Sequence, residues 1–232
     1  MKTVMSLGYR GKAEPVSGRV INAYHASKNI YDVVLTRKGF LSRLYMKFFW
    51  NDTDDNEIAE KILSYIPEDF SGTLLDVPAG TAVFTHEKWR HLPNASITCL
   101  DYSPDMLEQA KERLMDCGHV SFVQGDVGSL PLSKESCDIV MSMNGFHAFP
   151  DKKRAFRETW RVLKKGGYFI GCFYIKGKSK RTDWLVHRVL SKKGWFTPPF
   201  PTEEQLLKIL NRLYSDVDYG VDGSMVYFKC VK

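Results

Sequence analysis

No two cysteines in this sequence stand in CxxC spacing, and their number, five, is odd. They are scattered at positions 99, 117, 137, 172 and 230, mostly within apolar stretches. That pattern excludes an obvious zinc site or disulfide framework, and reduced thiols point to a cytoplasmic protein. Long apolar runs are missing too. Nothing approaches the ~20 apolar residues of a membrane-crossing helix, and Met1-Lys2-Thr3-Val4 opens without the apolar core of a signal peptide. Internal repeats, low-complexity tracts and a GxGxxG fingerprint are absent as well.

What remains is an ordinary globular composition. Of 232 residues, 44% are apolar and 26% charged, enough for one domain with a sizeable core. The most informative stretch is Thr73-Leu74-Leu75-Asp76-Val77-Pro78-Ala79-Gly80-Thr81-Ala82. An apolar strand runs into an acid, then a turn of small residues. A second strand, Ser96 to Leu100, ends in Asp101, 21 residues after Gly80. This is the layout of a nucleoside-binding crevice: a slim turn lets backbone approach the ligand, and the second carboxylate accepts from ribose hydroxyls. A dinucleotide is a poor fit. Only Gly80 is a glycine, and Asp76 would repel a pyrophosphate, whereas a cationic ligand would tolerate it. The turn alone is also compatible with an unrelated strand-turn-helix.

Further along, Ser103 reads as an N-cap, Pro104 as the first helical residue, and Met106, Leu107, Ala110 and Leu114 as one apolar face. Met106 is equally readable as core. Val120 to Gln124 is a third strand that runs out through Gly125, Asp126 and Val127; Asp126 is a ligand contact or a turn residue. Cys137 to Ser142 is a buried strand followed by a loop, Met143 to Asp151, which carries Asn144, Phe146 and His147. An amphipathic helix then stops at Lys164-Lys165-Gly166-Gly167, before a strand over 168–175. Two more strands, near 214–219 and 224–231, are joined by a turn at Gly220-Val221-Asp222-Gly223 and form an antiparallel hairpin. Alternating strand and helix predict an α/β fold, a doubly wound, mostly parallel sheet with its ligand at the carboxyl ends of the strands.

These motifs together resemble the class I S-adenosylmethionine-dependent methyltransferases. Asp76, Gly80 and Thr81 match a D-x-G-x-G-T-G core from which Pro78 and Ala82 depart. Glu158, Arg161, Val162, Leu163, Lys164, Gly166 and Gly167 fall in register with the family's E-x-x-R-V-L-K-x-G-G block. The resemblance covers residues 55–175 and is closest to the ubiquinone/menaquinone-type, small-molecule enzymes. It implies a Rossmann-like, seven-stranded sheet with the last strand antiparallel. It implies S-adenosyl-L-methionine as cofactor, with S-adenosyl-L-homocysteine as product. Asp76, Val77, Pro78, Ala79, Gly80 and Thr81 would then cradle it, with Gly125, Val127 and Asn144 around it. Asp101 would take the ribose, Tyr102 and Met106 the faces of the adenine, and Asp126 its amino group.

Residues 1–55 are expected as an N-terminal helical lid, 56–175 as the cofactor-binding core, 176–201 as an acceptor cap, and 202–232 as a closing helix and hairpin. The lid and the cap are aromatic-rich, and in the resembled family such segments shape the acceptor pocket. Tyr31, Trp50, Phe146, His147 and Trp184 are the candidate acceptor contacts, though any one of them also reads as packing. Methyl transfer from a sulfonium is an in-line displacement that positioning can carry without a metal. His147 would be the general base, an acceptor-orienting residue, or a structural histidine. Two rivals stand beside the small-molecule reading. One is an RNA or other nucleic-acid methyltransferase, since residues 151–193 carry 14 Lys/Arg against three acids and the net charge is +6. Against it, Ser142-Met143-Asn144-Gly145 is not the Asn/Asp-Pro-Pro-aromatic motif of base-methylating enzymes. The other is a non-catalytic S-adenosylmethionine-binding protein. Oligomeric state is not readable.

Overall fold

The computed structural model describes residues 55–232. The expected lid, with Tyr31 and Trp50, lies outside them. In chain order the elements are α1 (Asp55–Leu63), β1 (Thr73–Asp76), α2 (His86–Arg90), β2 (Ser96–Asp101), α3 (Pro104–Arg113) and β3 (Val120–Gln124). A single 3-10 turn, Val127–Ser129, precedes β4 (Cys137–Met143), α4 (Lys152–Val162) and β5 (Leu163–Tyr174). The chain closes with α5 (Lys180–Leu185), a π-helical turn (Val186–Leu190), α6 (Glu203–Leu213), β6 (Asp216–Asp222) and β7 (Met225–Val231).

The seven strands form one sheet in the order β3-β2-β1-β4-β5-β7-β6. The pairs β1·β2, β1·β4, β2·β3 and β4·β5 are parallel, and β7 runs antiparallel to both β5 and β6. Six strands therefore share one direction and β7 alone is reversed. Strand order turns back on itself between β1 and β4, so the crevice at their carboxyl ends is the natural ligand site of such a sheet.

Apolar spacing puts helices on both faces. On one, Ile58, Ala59 and Ile62 of α1 and Ala110 of α3 pack with Trp89, Leu185 and Val186 over Leu74, Ile97, Ile139 and Ile170. On the other, Ala155, Phe156 and Val162 of α4 and Leu206 and Leu210 of α6 pack over Leu75, Val140, Phe169 and Phe228. Fully burying one such side chain is worth roughly 1.5–3 kcal/mol, so two dry layers fix the sheet between them. The caps follow the sequence. Ser103 accepts from the Met106 amide at 3.4 Å, and Thr202 and Gln205 form a reciprocal capping box on α6.

Two local expectations are corrected. Helix α4 ends at Val162, because Leu163 swings to an extended ψ of 132° and opens β5 five residues early. Lys164 is thus a strand residue, and its ammonium pairs with Asp138 at 2.8 Å rather than with a helix end. A bulge opposite Cys137 and Ile139 absorbs the extra residues, with Gly166 at φ +74°. The hairpin turns at Gly223-Ser224, so β6 runs through Gly220 to Asp222. A two-residue turn with Gly223 at φ +54° matches the twist of the strands it joins.

Candidate functional site

A cleft opens at the carboxyl ends of β1, β2 and β4, enclosing about 1150 Å³ with the open solvent at its mouth. Its floor is the turn after β1. The Val77 amide donates to the Met141 carbonyl and the Ala79 amide to that of Leu100, both at 2.9 Å, so the turn is strapped to the neighbouring strand on either side. Gly80 has a φ of +54°, and a Cβ there would meet nothing within 4 Å; it would project into open space instead. Ala82 takes a left-handed φ of +56° and Asn144, across the cleft, one of +52°.

Asp101 organises this floor. One carboxylate oxygen accepts from the Gly80 amide at 2.8 Å and the other from the Ser103 amide at 2.8 Å. It is buried, and burial lifts its pKa to about 6 against the pull of those amides. Asp76, 2% exposed, accepts from the Trp89 indole N–H at 3.3 Å. Burial lifts it further, to about 8. Both carboxylates line the cleft, so the site holds two acids whose charge is costly without a cation or donors beside them. Tyr102, 38% exposed, and buried Met106 stand beside Asp101. Gly125, Asp126 and Val127 form the next stretch of wall, and Asp126 also accepts from the Gly128 amide at 2.8 Å. All thirteen residues named from sequence for the cofactor lie on this one surface.

Sequence reading missed the apolar part of the cleft. Val83, Phe84, Met143, Ala148, Phe149 and Pro150 line it as well. Phe84 follows the glycine turn directly, and Phe149-Pro150 share the loop of Asn144, so loop membership was the available signal. For Trp89 as a partner of Asp76 there was none.

The acceptor candidates fare differently. Phe146 is fully buried, its ring 4.2 Å from that of Phe156 and 5.3 Å from that of Phe173 between centroids; it is core, because its side chain falls on the α4 face of the sheet. His147 is not on the cleft wall either. Its ring stacks on Phe196 at 3.9 Å and 6°, and its Nδ1 is buried without a partner. Burial, and then the Lys152 charge, push its pKa down to about 3, so it is neutral. Trp184 is 56% exposed on the outside of α5. What the cap does touch is the loop behind the cleft. The Thr197 amide donates to the His147 carbonyl at 2.8 Å, and the Lys152 ammonium spans the Phe149 carbonyl at 3.0 Å and that of Thr197 at 2.5 Å. Pro78 is packed just as tightly from the other side: a Cβ on Gly145 would lie 2.2 Å from its Cδ.

Residues 75–171 match the family model described as a methyltransferase domain. A demethylmenaquinone methyltransferase of Thermotoga maritima is 32% identical over 163 residues, which is 70% of this chain and 67% of that protein. The chain belongs to the S-adenosylmethionine-dependent methyltransferases. The family's fold is met again in the crystal structure of another Thermotoga maritima methyltransferase, with a TM-score of 0.65 at 18% identity over 92% of this chain and 99% of that one. A chloroplastic 2-methyl-6-phytyl-1,4-hydroquinone methyltransferase of rice is 33% identical over 135 residues, covering 58% of this chain but only 38% of the relative. This methyltransferase thus spans well under half of the plastid protein. Among its described residues, no helix is long and apolar enough to cross a membrane, and no group of three His, Cys, Asp or Glu could hold a metal ion.

Proposed function

We propose that this methyltransferase transfers a methyl group from S-adenosylmethionine to a small, apolar acceptor of the quinol type. One observation carries the reading: a single cleft is lined by a glycine turn, two buried carboxylates and a set of apolar side chains. The cofactor fits the turn and the carboxylates. Gly80 leaves room where a Cβ would stand, and Asp76 and Asp101 suit a ligand that is cationic at one point and rich in hydroxyl donors at another. When bound, the cofactor supplies a methyl group on a positively charged sulfur.

The chain's own residues hold and shield. Asp101, fixed by Gly80 and Ser103, accepts from the ribose. Tyr102 and Met106 flank the adenine, and Asp126 accepts from its amino group. Gly125, Val127, Asn144 and the turn from Val77 to Thr81 close around the rest. Phe84, Ala148, Phe149 and Pro150 keep water out and receive the acceptor. Among the described residues the cleft wall offers no histidine, lysine or cysteine. Rate enhancement then comes from positioning rather than from His147 as a base. The names of the Thermotoga and rice relatives support the quinol class, as does the apolar wall. All five cysteines are buried and none is in a disulfide, which supports a reducing, cytoplasmic setting.

A thermal-shift titration tests this. At ~100 times its dissociation constant a ligand adds about 2.7 kcal/mol to the fold, which for a domain of this size is a rise of roughly 5–10 °C. S-adenosylmethionine and S-adenosylhomocysteine are expected to give that rise, and NAD and ATP are not. Asp101→Ala should weaken cofactor binding by about one to two orders of magnitude, the worth of a charge-assisted hydrogen bond. A shift with NAD alone would sink the reading.

A further inference from the structure

The exposed position of Trp184 needs a reason. It sits at the centre of the outer face of α5 and the π-helical turn, a single continuous helical stretch from Lys180 to Leu190. The inner face is anchored: Thr182, Leu185, Val186 and Leu190 are buried. The outer face, at spacings of three and four residues, is Lys180, Arg181, Trp184, His187 and Arg188, all exposed, with Lys192 and Lys193 exposed just beyond. Residues 176–193 contain seven Lys/Arg and one acid, Asp183. That acid is turned inward, accepting from the Tyr174 hydroxyl at 2.5 Å and the Gly177 amide at 2.9 Å. Residues 176–193 contain no second acid. Lys178 is accounted for by Glu203, and Lys193 stands over the Trp195 ring at 5.1 Å.

We infer that this outer face, Lys180 to Lys192 around Trp184, docks on an anionic lipid surface. A helix pinned flat by its apolar side, with cations and one indole on the other, has the layout of an interfacial helix. Each Lys or Arg held near an anionic leaflet is attracted to it, and indole rings settle at headgroup depth. A nucleic-acid strand is the weaker match, because strand-binding surfaces offer successive stacking rings along a groove, and here a single ring stands on the outside of a helix. The inference goes beyond the methyl-transfer reading and does not need it. It does suit it, since the cap carrying this face is tied through Thr197 and Lys152 to the loop that forms the apolar wall.

The experiment is co-sedimentation of the full chain with vesicles of phosphatidylcholine containing about 30 mol % phosphatidylglycerol, against pure phosphatidylcholine. Binding to the anionic vesicles alone is expected. The combined variant Lys180→Gln, Arg188→Gln, Lys192→Gln should lower partitioning roughly a hundredfold, at about fivefold per cation. Trp184→Ser should lower it several-fold. Both variants should keep the wild-type melting temperature, because none of these side chains is buried. No pelleting with anionic vesicles, equal pelleting with both vesicle types, or undiminished binding by the triple variant would each overturn the proposal. So would capture of an RNA oligonucleotide by this face without any vesicle binding. Vesicle binding is read without turnover, so failure here and failure of the methyl-transfer reading are separate results.

Discussion

The turn after β1 and the loop after β4 both line the cleft, but the first is strapped to its neighbouring strands and the second is held by Lys152 and, from a distant part of the chain, by Thr197. On the β1–β2 side every residue named in advance lies on the cleft surface. On the β4 and cap side Asn144 does as well, but the acceptor candidates Phe146, His147 and Trp184 do not. The difference is one of distance along the chain. Asp76, Gly80 and Asp101 sit at strand ends and in tight turns, where local chemistry fixes backbone and side chain together. Whether Phe146 or Phe149 faces the cleft depends on how the loop after β4 meets α4 and the cap, a contact between segments up to 45 residues apart, as in the bond from Lys152 to Thr197.

The largest test of that contrast is Phe146→Ala. If Phe146 is core, its loss costs about 3–5 kcal/mol, as for other buried aromatics. Denaturant titration should show this. A fall in acceptor binding at unchanged stability would return Phe146 to the pocket.

Asp76→Asn probes the legible side through pH. An unfolded aspartate loses its proton near 3.9, and in the fold Asp76 holds its proton until about 8. The folded state carries the extra proton between those limits, so this group's contribution to stability declines as pH rises from about 4 to about 8. The variant should therefore gain on the wild type across that window, by at least about 1.4 kcal/mol, the equivalent of one pKa unit. Urea titrations at about pH 5, 7 and 9 measure it, and a constant difference would mean that Asp76 is not held protonated.

The smallest effect is expected at His147. A phenylalanine keeps the stack on Phe196 and removes an orphaned buried nitrogen, so His147→Phe should shift stability by less than about 1 kcal/mol. Methyl transfer should stay within a few-fold of wild type. A loss of a hundredfold or more at unchanged cofactor affinity would make His147 the base after all.

The fold itself was mostly legible. Strand positions from Thr73 to Ser142 follow from apolar runs bounded by turns, and alternation with helices gives the parallel sheet. What was not legible were events decided by partners. The end of α4 looked like Lys164 from its basic and glycine residues, yet Leu163 pairs with Cys137 on β4 and carries that lysine into a strand. The turn of the β6–β7 hairpin looked like Gly220 to Gly223, yet pairing with β7 carries β6 two residues past Gly220. The apolar wall was only half legible, because loop membership does not separate Phe149 from the buried Phe146 of the same loop.

Pro78 and Gly145 give the cleft a further property. The pyrrolidine ring fills the space where a side chain at 145 would begin, so a methyl group there meets Cδ at 2.2 Å. Gly145 is not free to change first. A residue with a side chain at 145 requires the ring at 78 to have gone already, and a lineage that keeps the ring must keep the glycine. Among descendants of this sequence, a side chain at 145 should therefore be found only where Pro78 has already been replaced.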